Sequence, residues 1–338
     1  MGKRMLVLSL VSCLLSLPGE AHEWRQGKNS ARVTFDGTTV MLDDGESYLD
    51  YMLRLQLSRD ISGQTLIGVA YSTDMRTIEK KGYWAKDAFV YTQNERGRAE
   101  VGWTESVAAK LALVLPDVGG TSVNNAPFFL PDGYVGITHP AVRGNQYAWR
   151  ANVVSNPERA FQFGAGRTFV DAGRFNSSTD FGARYRDLGG RWKTQISLGL
   201  SYIEKPFNMR ADLWSPPVFA DARHQGTVGL NVQFGSLIFG ATAKAVVDKN
   251  AVENKPRSDG IQSGAGFSYD FLSWSASVNY IYSQIGTWDD GDKPEGHIGV
   301  LSARYKIDKN FSVWVSGGTV QGTVARDAFA AGGVRVKF

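Results

Sequence analysis

Polar and apolar side chains alternate along this chain in blocks of about ten residues, and that period of two constrains the fold more than any other feature. In the stretch RWKTQISLGLSY, residues 191–202, Trp192, Thr194, Ile196, Leu198, Leu200 and Tyr202 share one face, and Lys193, Gln195, Ser197, Gly199 and Ser201 share the other. The same separation holds for Leu49, Tyr51, Leu53, Leu55 and Leu57 against Asp50, Arg54, Gln56 and Ser58. It recurs for Trp274, Ala276, Val278, Tyr280 and Tyr282 against Ser275, Ser277 and Asn279, and for Phe239, Ala241, Ala243 and Ala245 against Gly240, Thr242 and Lys244. A helix would scatter these residues around its axis, whereas a strand sends them to opposite sides. Blocks of about ten residues exceed the usual five or six of soluble sheets and match a tilted strand crossing a bilayer.

The connectors alternate in length. Tight turns are expected at RDISG (59–63), NERG (94–97), SNPE (155–158), LGG (188–190), FGS (234–236), DFLS (270–273) and DKN (308–310). Longer polar stretches lie at about 73–83, 106–146, 171–178, 204–225, 248–260, 284–296 and 320–327. Short turns on one rim and long loops on the other describe a transmembrane β-barrel. Strands then begin near Arg32, Tyr48, Gln64, Trp84, Arg98, Tyr147, Ala160, Thr179, Arg191, Gly226, Leu237, Ile261, Ser273, His297, Phe311 and Ala328, about sixteen in all. An even count places both ends of the chain on the short-turn, periplasmic side. The strands near Tyr147 and Ala160 alternate least regularly, and without them the count is fourteen. Arg167 has the parity of Phe161 and Phe163, so its strand has to bend, bulge or end early.

The first residues indicate export. Lys3 and Arg4 precede an almost wholly apolar run from Met5 to Leu17, then Pro18, Gly19, Glu20 and Ala21. That is the pattern of a secretory signal peptide, residues 1–21, cleaved after Ala21 to leave a barrel domain of residues 22–338. Leu10-Val11-Ser12-Cys13 offers lipidation of Cys13 as an alternative. Cys13 is the only cysteine, so cleavage leaves an exported protein without disulfides. After residue 21 no apolar run approaches the roughly 20 residues of a membrane helix, although 43% of the chain is hydrophobic. A net charge of +4, spread along the chain, gives no indication of nucleic acid as a partner.

A charge at the lipid midplane costs about 2–4 kcal/mol, so the parity of charged residues is informative. The face opposite the oily one collects Arg54, Arg98, Arg150, Arg184, Arg186, Lys193, Lys244, Arg304, Arg335 and Lys337, with fewer acids, Asp50, Glu100 and Asp180. A closed sheet of about sixteen strands encloses more space than side chains fill, so these ions are expected to line water. The longest connector, 106–146, is apolar for a loop and is expected to fold into the lumen and narrow it, with Asp117 and Asp132 facing the basic wall. An external lid or a subunit contact is the other reading of that segment.

The last residues, GGVRVKF, place Val334, Val336 and Phe338 on an oily face and Arg335 and Lys337 on the lumenal one, as a closing strand requires. With the signal peptide, GRAEVGWTES (97–106) leading to LPDVGG (115–120), the hairpin RYRDLGGRWKTQISLGLSY (184–202) and the end AGGVRVKF, the mature chain resembles the general porins of Gram-negative outer membranes. The resemblance implies a sixteen-stranded antiparallel barrel, a homotrimer, a third loop folded inside, and passive diffusion of small hydrophilic solutes and ions. It implies a constriction where loop acids face wall bases, Asp117 against Arg54 and Arg98. Partners expected on the same ground are outer-membrane lipid and the barrel-assembly machinery. Gly332 and Ala330 depart from the bulky residues such porins keep at alternate positions before the terminal Phe.

Other motifs carry little. His22, His139, His224 and His297 lack metal-ligand spacing, and no cofactor is implied. Asn176-Ser177-Ser178 is a chance sequon, and Asp289-Asp290-Gly291-Asp292 lacks EF-hand spacing. The expected function is a water-filled channel without catalysis and with weak anion preference. A substrate-specific channel and an outer-membrane barrel enzyme are the alternatives, the last requiring a Ser/His pair near the lipid interface.

Overall fold

The computed structural model describes residues 22–42, 47–78, 81–118, 148–156, 158–169, 177–204, 207–209, 218–251, 260–284, 295–322 and 326–337. Its strands run β1 His22–Gln26, β2 Asn29–Leu42, β3 Ser47–Asp60, β4 Thr65–Ile78, β5 Lys81–Asn94, β6 Gly97–Thr104, β7 Ala148–Ser155, β8 Phe161–Thr168 and β9 Ser177–Asp187. They continue as β10 Trp192–Glu204, β11 Phe207–Met209, β12 Val218–Phe234, β13 Leu237–Ala251, β14 Gly260–Phe271, β15 Trp274–Ser283, β16 Gly296–Lys306, β17 Phe311–Gly322 and β18 Arg326–Lys337. One short helix, α1 Val107–Leu111, interrupts them.

Each strand pairs antiparallel with its neighbour, and β18 returns to β2 with Ala331 opposite Leu42 and Lys337 opposite Asp36. The sheet is therefore a closed barrel of sixteen strands. The short β1 and β11 stand outside that count, pairing with the ends of β2 and β12. Closure leaves no long edge to pair with another chain.

The packing is inverted relative to a water-soluble protein. Along β15, Trp274, Ala276, Val278 and Tyr280 are exposed, while Ser275, Ser277 and Asn279 are buried. The exposed large apolar side chains include Leu55, Val101, Phe163, Leu200, Phe239 and Leu301, and the buried polar ones include Glu100, Arg150, Asn152, Asp180 and Lys244. Such a surface is stable only where lipid bathes the outside and polar groups meet water or one another inside.

The short rim forms at all seven expected turns, and side chains explain why. Asp60, Asn94 and Asp308 each accept two backbone N–H bonds from the residues two and three positions ahead, which folds the chain back within a few residues. The strands near Tyr147 and Ala160 both form, as β7 and β8, which settles sixteen over fourteen. Arg167 lies on the outer face and β8 ends one residue later.

The opposite rim differs from expectation. Residues 73–83 are read above as a loop, but β4 and β5 extend through it and leave only 79–80 between them. The strand expected near Gly226 begins at Val218, and 320–327 narrows to 323–325. Above the bilayer both faces meet water, so the ladder continues without the alternation that reveals it within the lipid. The readings that concern residues 1–21, Asp132, His139, Asn176, the acidic loop 289–292 and Phe338 lie outside the described residues.

Candidate functional site: the lumenal wall and the strap that crosses it

The described part of the long connector, 105–118, lies against the inner face of the barrel, and its attachment begins at α1. Ser106 caps the helix, its Oγ accepting from the Ala109 N–H at 3.2 Å. The Val107 and Ala108 N–H groups donate to Asp180 Oδ1 at 2.5 and 3.2 Å. At the other end the Arg184 guanidinium donates to the carbonyls of Leu111, Lys110 and Ala112 at 2.8, 3.2 and 3.0 Å. Asp180 and Arg184 both belong to β9, so one strand sets an anion at the positive end of the helix and a cation at the negative end. Asp180 also accepts from Arg150 Nη1 at 2.5 Å.

From there the segment crosses the wall strand by strand over a path of glycines. A Cβ placed on Gly182 would stand 2.7 Å from the Val107 carbonyl oxygen, and one on Gly240 2.3 Å from Pro116 Cδ. Gly164, Gly199, Gly229 and Gly264 make room in the same way for Val107, Ala108, Leu113 and Leu115. These glycines face inward on β8, β9, β10, β12, β13 and β14, because only hydrogen at those positions lets the strap approach the sheet. Ser197 Oγ accepts from the Leu113 N–H at 3.0 Å, and Asn231 Nδ2 donates to the Val114 carbonyl at 3.2 Å. The described strap ends on β15, where the Ser277 hydroxyl accepts from the Val118 N–H at 3.1 Å and donates to Asp117 at 2.9 Å.

The register places Arg54, Arg98, Glu100, Arg150, Arg184, Arg186, Lys193, Lys244, Arg304 and Arg335 on the inner face. They do not form one open basic surface. Arg150 and Lys244 are each only 3% exposed, and the Arg184 guanidinium is engaged by the strap carbonyls. These three were expected to line water; the strap carbonyls hold Arg184 instead, and Arg150 and Lys244 are buried. Glu100 is surrounded by cations, Arg98 at 3.0 Å and the strap's Lys110, with Asn152 Nδ2 at 3.5 Å. Arg98 lies over the Tyr91 ring at 3.8 Å, and Gln56 holds the Tyr91 hydroxyl at 2.6 Å.

The remaining bases are not bonded to the described strap. Arg335 makes a two-pronged pair with Asp36 at 2.9 and 2.6 Å across the closing seam. Arg304 lies 3.8 Å from Asp270 and donates to the Ser275 hydroxyl at 3.3 Å, within the field of Asp117. Arg54 and Lys193 are exposed, and Arg54 lies close enough to Arg98 for the two charges to repel. Arg186 donates to the Arg159 carbonyl at 3.2 Å.

Sequence reasoning missed Lys110, Asp36 and the fully buried pair Arg223–Asp248, joined at 2.7 and 3.0 Å. Asp36 shares the parity of Arg32, and that signal was available. Arg223 fell in a stretch read as loop. Among the described residues no group of three or more His, Cys, Asp or Glu is arranged to hold a metal ion, and no helix is long and apolar enough to cross a membrane, which has no bearing on a barrel.

A family profile described as Gram-negative porin matches residues 18–325. No curated protein sequence is significantly similar to the chain. Among solved structures, the outer-membrane expressed OmpT of Vibrio cholerae superposes with a TM-score of 0.64 at 11% identity, over 94% of this chain and 100% of that one. A trimer form of the same Vibrio cholerae protein gives 0.61 at 12% identity, over 92% and 99%. An anion-selective porin from Comamonas acidovorans gives 0.61 at 11% identity, over 92% and 100%. At such identities these likenesses concern the fold.

Proposed function

The chain belongs to the Gram-negative porin family, and from that premise we propose that it is a water-filled outer-membrane channel through which small hydrophilic solutes and ions diffuse passively. One observation carries the reading: a sixteen-stranded wall that is oily outside and ionic inside, with a strap of its own chain laid across the interior. Water and ions pass where the wall is polar, and the strap reduces the bore.

Asp117 on the strap and Arg54, Arg98, Arg304 and Arg335 on the wall supply a transverse field that orients dipolar solutes. Asp132 belongs to the same loop and is proposed to add to its acidic side. The larger number of inward cations favours weak anion preference. The working unit is a homotrimer of chains exported with a signal peptide cleaved after Ala21 and inserted by the barrel-assembly machinery. The outer-membrane channel performs no catalysis. His297, on the lipid-facing side, has its Nδ1 2.5 Å from the Tyr280 hydroxyl, and His224 contacts the Tyr202 ring, so tyrosines rather than serines partner these imidazoles.

Planar-bilayer recordings test the reading. Stepwise conductance proportional to salt concentration, with a reversal potential displaced toward the anion in a salt gradient, is expected. Absence of steps rejects the channel, clear cation selectivity rejects the preference, and saturable block by one solute shifts the reading to a substrate-specific channel.

A further inference from the structure

The outer wall carries a groove that the diffusion pathway does not use. It lies at the short-turn end of β5–β9 and has a volume of about 420 Å³. Its floor is one cross-strand row, Thr92 opposite Ala99, Ala99 opposite Val153, Val153 opposite Ala165 and Ala165 opposite Phe181. Small Ala99 and Ala165 flank Val153 in that row, with Phe163 forming a side, so the row is dented on either side of Val153. Gly97, at the foot of β6, lies on the side of the dent toward the turns at 95–96 and at 156 and 158–160.

Those two turns are joined, the Asn156 N–H donating to the Arg96 carbonyl at 3.1 Å and Asn156 Nδ2 to the Glu95 carbonyl at 3.0 Å. Each presents one acid and one base: Glu95 and Arg96 on the first, Glu158 and Arg159 on the second. All four side chains are exposed, and none makes an ion pair among the described residues. Arg96 lines the groove, and the two joined turns bring a second guanidinium and two carboxylates to its end of the barrel; together they match a headgroup carrying a phosphate and an ammonium. A purely anionic headgroup would meet Glu95 and Glu158 without compensation.

We propose that this groove is a binding site for one zwitterionic aminophospholipid of the short-turn leaflet. One acyl chain lies along Ala99, Val153 and Ala165. The phosphate is held by Arg96 and Arg159, and the ammonium by Glu95 and Glu158. The site depends on the barrel being bathed by lipid and not on the pore conducting.

Native mass spectrometry of the full-length mature protein, released from detergent after exposure to equimolar phosphatidylethanolamine and phosphatidylglycerol, tests it. One phosphatidylethanolamine retained per chain is expected, in roughly tenfold preference over phosphatidylglycerol. Ala165→Phe, which fills the dent, should remove it. The double change Arg96→Ala and Arg159→Ala, on exposed turns where folding is not at stake, should remove retention of both lipids, since both carry the phosphate. Equal retention of the two lipids, or unchanged retention in the double variant, overturns the proposal. So does dissociation of the oligomer by Ala165→Phe, which would make the groove a subunit contact. Conductance of the same samples reports separately on the channel.

Discussion

The inner wall has two halves that use the same kind of residue differently. From β7 to β15 the wall is crossed by the strap, and its charges hold main chain: Asp180 takes two N–H groups, Arg184 three carbonyls, and Arg150 completes Asp180. From β16 through β18 to β3 no described segment covers the wall, and charges meet across neighbouring strands, as Arg335 with Asp36, or stand in the open, as Arg54 does. An inward-facing cation is therefore not by itself a pore residue. What decides is whether the strap runs over it, and the glycines mark where it runs.

The largest test of that difference is Asp180→Ala. It leaves the Arg150 guanidinium buried without its partner and uncaps α1, and breaking a buried pair this way costs about 3–5 kcal/mol. The folded barrel should lose its resistance to heating in SDS gels. Arg335→Ala, in the open half, breaks a partly exposed pair and should cost no more than about 1 kcal/mol. Equal losses would mean that the two halves are not distinct. Between these falls a pair on β10: Leu200→Arg puts a charge against lipid at about 2–4 kcal/mol, while Ser201→Arg turns it inward and should be tolerated. Assembly yield in outer membranes measures both.

The outer half of this picture was legible in the sequence because lipid enforces parity: a one-residue slip would send Leu198 and Leu200 to water and Lys193 to lipid. The seven turns were legible through Asp, Asn and Gly. Where both faces meet water the parity rule lapses, which is why 73–83 read as a loop. The strap was only half legible. Its apolar character signalled packing, but α1 has five residues, and the groups that hold its ends lie more than 70 positions away in Asp180 and Arg184. The inward glycines are visible singly, whereas their alignment into one path depends on the register of six neighbouring strands.

The smallest effect on stability should be the most informative about transport. Arg54→Glu changes an exposed lumenal side chain in the uncovered half and should alter stability by no more than about 0.5 kcal/mol. It reverses an inward-facing charge that no described segment covers, so the reversal potential should move toward cations. Arg184→Gln removes one positive charge from the covered half, where the guanidinium is bound to carbonyls. It should leave selectivity nearly unchanged while freeing the helix end of the strap and increasing single-channel conductance. If the two variants displaced the reversal potential equally, both cations would be sensed by permeating ions, and the strap would not shield the wall beneath it.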